Sequence, residues 1–334
     1  MGNSYFRLIS PKRRTWDCPL AALAAPIWQD VAMSVRVFTA GNPPAELIDA
    51  LKVARVKVVD DPAEATFLIW NSIKTKELAE TLHPGIKWVQ LPSAGVNLWL
   101  NTGVLDNERT WLSAAGAYSA AVASHAVAGY LAAIHRIPDF AAATTWQALQ
   151  FRPLSLRRVA ILGLGGIGAE IARQLQALGV AEVRGVVRNH REEPHADTVT
   201  TLTNPAWPEG IDDIINVLPA TPATAGIIDA HVISHLPTDG IIVNVGRGEA
   251  IVDDDALAAL ANDRLGGMVL DVTDPEPLPD DHPYWRDDRV VITAHSANPT
   301  VVATPAFVER AMTNIQRASQ GEPLLGVVDV EHGY

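Results

Sequence analysis

The feature that most constrains the fold of this chain is a glycine-rich stretch near its middle, between an apolar run and a helical pattern. Gly163, Gly165 and Gly168 follow the apolar run at residues 159–162, and residues 169–178 then show a helical pattern. At a dinucleotide site the first glycine permits a tight turn, the second lets the backbone approach the pyrophosphate, and the third lets helix and strand pack closely. The start of the helix favours negative charge. This context predicts a dinucleotide-binding turn.

The size and charge of the chain narrow the class of protein. Its 334 residues suit two domains, and 48% hydrophobic against 19% charged residues predicts large cores rather than disorder. The net charge of −12 argues against nucleic acid or an anionic membrane surface as the partner. A local arginine can still bind a small anion, so we expect a small-molecule substrate.

The N-terminal part bears on location. Cys18 is the only cysteine, which excludes an internal disulfide and predicts a reducing, cytoplasmic compartment. Basic residues 12–14 precede an apolar stretch, but an acid and two prolines interrupt it, so it is a poor signal peptide. No apolar run reaches the ~18 residues of a membrane span. Met33 stands just before the first predicted strand, and we interpret residues 1–32 as an appendage to the fold.

The order of strands and helices predicts the fold class. Short apolar strands alternate with helical patterns in both halves of the chain, and this alternation produces parallel sheets. We therefore predict an α/β protein with two Rossmann-like or flavodoxin-like domains. The predicted strands cover residues 35–39, 56–59, 66–70, 86–90, 111–113, 159–162, 183–187, 214–219, 240–245, 267–271 and 289–293.

The connecting regions are mostly helical in this prediction. His125 and His135 lie in the alanine-rich helix that links the two halves, and we interpret both as structural residues. Pro138 is expected to end that helix. The predicted connections are a polar loop at residues 188–208 and helices at 119–137, 140–150 and 304–320, the last returning to the first half.

Reactive side chains stand at the ends of three successive predicted strands. Arg247 follows the first strand, Asp271 and Glu276 the second, and His295 the third. Ligands of open α/β sheets bind beyond the carboxyl ends of the strands. There arginine can grip the carboxylate of a 2-oxo acid, histidine can protonate its carbonyl oxygen, and glutamate can support the imidazole. The set predicts Arg247, Glu276 and His295 as catalytic residues for hydride transfer.

Together these motifs resemble the signatures of the D-isomer-specific 2-hydroxyacid dehydrogenases, over nearly the whole chain from Met33 onward. The motifs are the glycine turn, Asn244-Val-Gly-Arg247-Gly, Asp271-Val-Thr-Asp-Pro-Glu276-Pro-Leu and His295-Ser-Ala. The family implies a split, flavodoxin-like catalytic domain from residues 1–117 and 303–334. Residues 118–302 would form the inserted NAD(P)-binding Rossmann domain. The family also implies a cleft between the domains and a homodimer.

The resemblance also implies roles for individual residues. Arg247 matches the substrate arginine, Glu276 the acid and His295 the proton donor of the family. The loop Ser93-Ala94-Gly95 resembles the substrate loop whose backbone N–H groups hold the carboxylate. No metal site is predicted. The predicted cofactor-binding residues are Gly163, Gly165, Gly166, Ile167, Gly168, Arg188, Asn189, Arg191, Leu218, Pro219, Thr221, Val245, Gly246, Arg247, Asp271 and His295.

Within the family, the chain is similar to the bacterial glyoxylate/hydroxypyruvate reductases. The similarity lies in Trp70, in Pro283-Tyr-Trp285-Arg and in the tail at residues 321–334. Trp70 either walls the substrate pocket or fills the core. Tyr118 is a departure, since many relatives have asparagine there. The implied reaction is hydride transfer from NAD(P)H to a small 2-oxo acid.

The end of the second strand of the cofactor domain predicts which cofactor is used. NAD-specific sites place an acid there to bind the ribose hydroxyls. This chain instead has Val187-Arg188-Asn189-His190-Arg191, in which two arginines can pair with a 2′-phosphate. We therefore predict that NADP(H) is preferred and NAD(H) possible.

Two alternatives stay open. Another D-2-hydroxyacid dehydrogenase, such as a phosphoglycerate dehydrogenase, would have the same motifs. A dinucleotide-sensing interaction protein of this fold could also keep the three catalytic residue types. The carboxylate grip and the proton donor define a class of substrate rather than one acid.

Overall fold

The computed structural model describes residues 35–146 and 148–331. The strands are β1 (Arg36–Ala40), β2 (Lys57–Val58), β3 (Phe67–Trp70), β4 (Trp88–Gln90), β5 (Thr110–Leu112), β6 (Arg158–Leu162), β7 (Glu182–Val187), β8 (Thr198–Thr201), β9 (Asp213–Asn216), β10 (Ile241–Asn244), β11 (Gly267–Leu270) and β12 (Val290–Ile292). The helices are α1 (Ala45–Val53), α2 (Thr75–Thr81), α3 (Asn97–Asn101), α4 (Ser119–Ile134), α5 (Ile137–Ala142), α6 (Gly166–Ala177), α7 (Ala230–Ser234), α8 (Asp253–Ala261) and α9 (Thr300–Gln320).

The first sheet has the strand order β2-β1-β3-β4-β5, with every pairing parallel. Its middle strand β3 is buried on both faces, because an unbroken apolar run lies between two layers of helices. Apolar residues of α1 and α9 cover one face, and those of α2 and α3 cover the other. This is the doubly wound order of a flavodoxin-like sheet.

Helix α9 returns to the first sheet through a buried pair of amides. Asn314 Nδ2 donates to Gln90 Oε1 at 2.8 Å, and both side chains are fully buried. Asn314 also donates to the carbonyl of Leu325 and accepts from its N–H, at 3.0 and 2.8 Å. These bonds give both polar atoms of the Asn314 side chain a partner, so they fix the helix to the sheet and offset the cost of burying the amide.

The second sheet has the order β12-β11-β10-β9-β6-β7-β8, again all parallel. Helices α4 and α6 pack on one face, and α7 and α8 pack on the other. The direction of winding reverses between β6 and β9, and the glycine turn follows β6. In such a sheet the reversal opens a crevice at the carboxyl ends of the strands. Both sheets agree with the predicted α/β class.

An ionic network fastens the opposite rim of the second sheet, where its strands begin. Arg157 Nη1 lies 2.7 Å from Asp213 Oδ1, and both side chains are buried. The hydroxyl of Tyr130, on α4, donates to Asp213 Oδ2 at 2.7 Å. Arg152 Nη1 donates to Asp212 Oδ1 at 2.7 Å. These bonds anchor α4 and the segment after it to the sheet.

The prediction of a loop over residues 188–208 is wrong at Thr198–Thr201, which form the edge strand β8. The three threonines and one valine are β-branched and suit a strand. They lie half-exposed at the sheet edge, so the sequence shows no apolar run there.

The predicted connecting helices are also longer than those observed. Helix α4 ends at Ile134, because Arg136 adopts a positive φ of 55° that breaks the helical path. Pro138 then lies in the first turn of α5, where a missing N–H is tolerated, rather than ending a helix. The helix predicted over 140–150 stops at Ala142.

The predictions for Cys18 and residues 1–32 lie outside the described residues. Among the helices that the structure describes, none is long and apolar enough to cross a membrane.

Candidate active site

The catalytic candidates stand on three neighbouring strands. Strands β10, β11 and β12 pair in parallel, with Asn244 opposite Leu270 and Leu270 opposite Ile292 at their carboxyl ends. Arg247, Glu276 and His295 follow these strands, so the sheet directs all three to one rim. The backbones also touch, because a Cβ atom added to Gly248 would overlap the backbone of Thr273.

His295 and Glu276 form a pair at this rim. Nδ1 of His295 lies 2.5 Å from Oε1 of Glu276, and the side chains are 53% and 43% exposed. The contact fixes the orientation of the ring. Because Nδ1 is engaged, Nε2 is the nitrogen that remains for a substrate, and the exposure makes it accessible from solvent.

The backbone at His295 is held in an unusual conformation. Ala294 and His295 have positive φ angles of 47° and 53°, each of which costs ~1–3 kcal/mol for a non-glycine residue. Asp271 compensates: its carbonyl accepts from His295 N at 2.6 Å, and Oδ1 accepts from Ser296 N at 2.8 Å. Oδ1 also accepts from Thr293 Oγ1 at 2.6 Å. Several hydrogen bonds to Asp271 therefore hold the loop that carries the imidazole in this conformation.

Asp271 is predicted to bind the cofactor, and the structure describes its immediate partners. The residue is only 3% exposed, and Oδ2 accepts from Ala297 N at 3.2 Å. His125, on α4, places Nε2 at 3.0 Å from Thr293 Oγ1 and 3.5 Å from Asp271 Oδ1. We interpret His125 from the sequence as a structural residue, and these contacts show what it supports: the loop that carries His295.

The guanidinium of Arg247 lies against the loop Ser93–Gly95 of the first sheet. A Cβ atom on Gly95 would overlap Nη2 of Arg247, so only glycine allows this approach. Arg247 Nη1 donates to the carbonyl of Gly246 at 2.6 Å. Among the described residues, no acceptor faces the backbone N–H groups of Ser93, Ala94 and Gly95. Cationic and N–H donors thus converge on one small volume.

A buried pair of asparagines, absent from the predicted site, supports the loop of Arg247. Asn216 Nδ2 donates to Asn244 Oδ1 at 2.9 Å, and neither residue is exposed. Asn244 Nδ2 then donates to the carbonyl of Arg247 at 2.9 Å, and its Oδ1 accepts from Gly246 N at 3.1 Å. An amide at the end of each of two apolar strands is the sequence signal that could have found the pair.

The glycine turn fits a dinucleotide. Gly163 has a φ of 94°, and a Cβ on Gly168 would collide with the carbonyl of Gly163. The position of a Cβ on Gly165 has open space around it, where a pyrophosphate could approach. Gly166 and Ile167 begin α6, whose first N–H groups have no partner within the helix. These residues therefore fit the cofactor that the sequence predicts.

The adenosine end of the predicted cofactor site lies after β7. Arg191 donates through Nη2 to the carbonyl of Leu164 in the glycine turn. A cavity of about 420 Å³ adjoins it, lined by residues 190–194 and 196–199. Arg188 and Asn189 precede this cavity in the chain. Of the two predicted arginines, Arg191 lines this cavity, and the acids Glu192, Glu193 and Asp197 line it as well.

The loop after β9 closes the other side of the crevice. Cδ2 of Leu218 lies 3.2 Å from the position that a Cβ on Gly163 would take. Thr224 Oγ1 donates to the carbonyl of Pro219 at 2.6 Å. Thr221 N donates to Thr224 Oγ1 at 2.9 Å. Val245, which follows β10, donates from its N–H to the carbonyl of Asn216 at 3.1 Å.

A hydrogen bond joins this loop to the first sheet. Asn97 Nδ2 donates to the carbonyl of Ala220 at 2.8 Å. Asn97 opens α3, directly after the loop Ser93–Gly95. The start of α3, just after the predicted substrate loop, is therefore in direct contact with the predicted ribose loop.

Trp70 lies in the core beneath the predicted substrate loop. It is 2% exposed and packs with Trp99, Leu91 and Val96. Its indole N–H has no acceptor among the described residues. The sequence allows Trp70 to wall the substrate pocket or to fill the core, and the structure shows it packed in the core.

Comparison with known proteins agrees with this geometry. Residues 126–297 match the family model of the D-isomer specific 2-hydroxyacid dehydrogenase, NAD binding domain. An uncharacterised protein from Corynebacterium melassecola is 34% identical over 287 residues, covering 83% of this chain and 92% of that protein. Glyoxylate/hydroxypyruvate reductase A from Serratia proteamaculans is 36% identical over 197 residues, covering 56% of this chain and 61% of that enzyme.

A solved structure shows the same likeness. A D-isomer specific 2-hydroxyacid dehydrogenase from Xanthobacter autotrophicus, in complex with NADPH and MES, matches with a TM-score of 0.77 at 28% identity. The match covers 90% of this chain and 99% of that one. The chain therefore belongs to the D-isomer-specific 2-hydroxyacid dehydrogenase family. It is an NAD(P)-dependent oxidoreductase, and the predicted family and enzyme class are confirmed.

Proposed function

We propose that this protein reduces a small 2-oxo acid of the glyoxylate or hydroxypyruvate type to the 2-hydroxy acid, with NADPH as the preferred reductant. The observation that supports it best is the convergence at Gly95. Arg247 lies against a loop whose N–H groups have no described acceptor, beside the rim with the His295–Glu276 pair. A carboxylate needs these donors, and a carbonyl next to it needs a proton source.

In the proposed reaction, different residues bind the substrate and donate the proton. When bound, the nicotinamide supplies the hydride. Arg247 and the N–H groups of Ser93, Ala94 and Gly95 bind the substrate carboxylate and orient the carbonyl carbon. Nε2 of His295 donates a proton to the carbonyl oxygen as negative charge develops there. Glu276 holds the ring through Nδ1 and stabilises its protonated form.

The proposed preference for NADPH depends on the end of β7. Arg188 and Arg191 are cations at the position where an NAD-specific site has an acid, and each suits a 2′-phosphate. The Xanthobacter autotrophicus relative is described in complex with NADPH. NAD(H) would bind without this charge pairing and therefore more weakly.

The proposed substrate draws on the relatives named glyoxylate/hydroxypyruvate reductase A. They are 34–36% identical to this chain in their matched regions. Trp70 remains a proposed wall of the substrate pocket, since its indole lies beneath the substrate loop.

We further propose the division of the chain that the family implies. Residues 1–117 and 303–334 would bind the substrate, and residues 118–302 would bind the cofactor. The amide pair between Gln90 and Asn314 supports assigning α9 to the substrate unit.

We also propose a cytoplasmic homodimer. The segment after α4 exposes Ile137, Phe140, Trp146, Phe151 and Leu156 to solvent, and a second copy of this chain would cover them. The single cysteine suits a reducing compartment. Light scattering of the wild type and of Trp146→Ser tests the dimer, which is contradicted if the wild type is a monomer at micromolar concentration.

Activity assays test the function itself. Purified protein is mixed with NADPH or NADH and a panel of 2-oxo acids, and oxidation of the cofactor is followed. We expect turnover of glyoxylate or hydroxypyruvate, preferably with NADPH, and loss on the order of 1,000-fold in Arg247→Ala and His295→Ala. A strong preference for phosphohydroxypyruvate would favour a phosphoglycerate dehydrogenase. Tight NADPH binding without turnover of any acid would favour the dinucleotide sensor.

A further inference from the structure

The segment that links β5 to α4 contacts both halves of the candidate site. The cofactor side is Gly166, at the start of α6: a Cβ there would lie 2.5 Å from Ser119 Oγ and 3.3 Å from the Cα of Gly116. The substrate side is Pro92, directly before the substrate loop. Tyr118 lies between Gly116 and Ser119 in the sequence and is the N-cap residue of α4.

The hydroxyl of Tyr118 donates to the carbonyl of Pro92 at 2.5 Å. The ring is 9% exposed and packs in the core of the second sheet with Val122 and Leu164. Burial raises the pKa of Tyr118 to about 12, despite the nearby Arg310, so the hydroxyl remains a donor at any working pH. One side chain thus has its ring in one unit and its polar end on a loop of the other.

Backbone bonds accompany this contact. Leu91 N donates to the carbonyl of Leu112 at 2.7 Å, and Ala114 N donates to the carbonyl of Ser93 at 2.8 Å. On the far side, Arg310 Nη1 donates to the carbonyl of Ala115 at 2.7 Å. The linking segment is therefore held from α9, while Tyr118 provides the side-chain bond that reaches the substrate loop.

We propose that Tyr118 is a positioning residue: it fixes the substrate loop relative to the glycine turn, so that the N–H groups of Ser93–Gly95 face the substrate carboxylate beside Arg247. The inference rests on the proposed function, because it assigns the loop to carboxylate binding. Tyr118 touches neither substrate nor cofactor in this account. It acts through Pro92.

The test compares Tyr118→Phe with Tyr130→Phe. Both substitutions remove one buried hydroxyl from the same helical region and keep the ring, but Tyr130 bonds to Asp213 at the opposite rim. In Tyr118→Phe we expect KM for glyoxylate to rise about 5-fold, as the loss of one ~1 kcal/mol hydrogen bond implies. We expect kcat and the Kd for NADPH to stay near wild type, because the carboxylate grip acts in the ground state and transition state alike.

A second measurement does not need turnover. Hydrogen exchange at the amides of Leu91 and Ala114 should be faster in Tyr118→Phe than in wild type and unchanged in Tyr130→Phe. Equal exchange in wild type and Tyr118→Phe would overturn the inference, as would equal KM values or the same KM rise in both variants. If the wild type turns over no 2-oxo acid, the proposed function fails, and the exchange measurement still decides whether Tyr118 holds the loop.

Discussion

Gly95 and Arg247 approach so closely that the space for a Cβ on the glycine is occupied by Nη2 of the arginine. Gly95 lies in the loop after β4 of the first sheet, and Arg247 lies in the loop after β10 of the second. Their contact brings the cation to the N–H groups of the substrate loop. The obstruction is the flexible end of a side chain, so an added methyl group should move the guanidinium rather than unfold the protein.

We therefore expect Gly95→Ala to lower kcat/KM for a 2-oxo acid about 100-fold, because a displacement near 1 Å in a positioning group has this effect. The unfolding temperature should stay close to that of the wild type. Steady-state kinetics and thermal unfolding measure the two quantities.

The control is the same substitution in the Arg247→Ala background. If Gly95→Ala acts by moving the guanidinium, it should have almost no further effect once that group is gone. A full additional loss in the double variant would contradict this account.

Glu276→Gln tests the partner of the catalytic histidine. The amide keeps the shape of the side chain but removes the negative charge that lies 2.5 Å from the imidazole. We expect kcat for reduction to fall on the order of 100-fold while KM stays near its wild-type value, since Glu276 is not proposed to touch the substrate. An unchanged kcat would rule out a role for the pair in proton donation.

Thr293 gives a test of how the histidine loop is held. Thr293→Val removes the hydroxyl that donates to Asp271 and contacts His125, and Thr293→Ser keeps it. We expect the valine variant to lose about 10-fold in kcat and about 1 kcal/mol of stability. The serine variant should resemble the wild type, and equal kcat values in the two variants would contradict the role of the hydroxyl.

We expect Asp212 to make the stability of the protein depend on pH in acid. This residue lies at the rim where the strands of the second sheet begin. Burial raises its pKa, but hydrogen bonds from Arg152 and Arg158 outweigh burial and hold the pKa below its ordinary value of 3.8. The stabilisation is therefore complete above about pH 3.8 and is lost as the pH falls through the lowered value. Asp212→Asn should lower the free energy of unfolding near neutral pH by about 2 kcal/mol and flatten its decline in acid.

Glu170→Gln is the exposed comparison for Asp212. Hydrogen bonds from Arg173 and Gln174 lower the pKa of Glu170 to about 2, but solvent screens this surface pair. We expect a change of less than about 1 kcal/mol. Chemical denaturation at several pH values measures both variants, and equal effects would contradict the distinction.

Local signals made the main site features predictable. The glycine turn follows an apolar strand directly, and Arg247, Glu276 and His295 each lie within a few residues of a strand end. The supporting contacts have no such signal. Asn97 bonds Ala220 across 123 residues, and His125 bonds Thr293 across 168. The first pairing depends on how the two units pack and the second on how α4 lies against the second sheet, and neither periodicity nor spacing expresses such contacts.

The amides of Gln90 and Asn314 have a consequence for biosynthesis. Strands β1–β5 leave the ribosome first, yet the helix that covers one face of their sheet is made after the whole second unit. Until then the nascent chain presents an apolar surface beside a neighbour that can already fold. Translation halted before residue 300 would leave that surface open to chaperones and to aggregation.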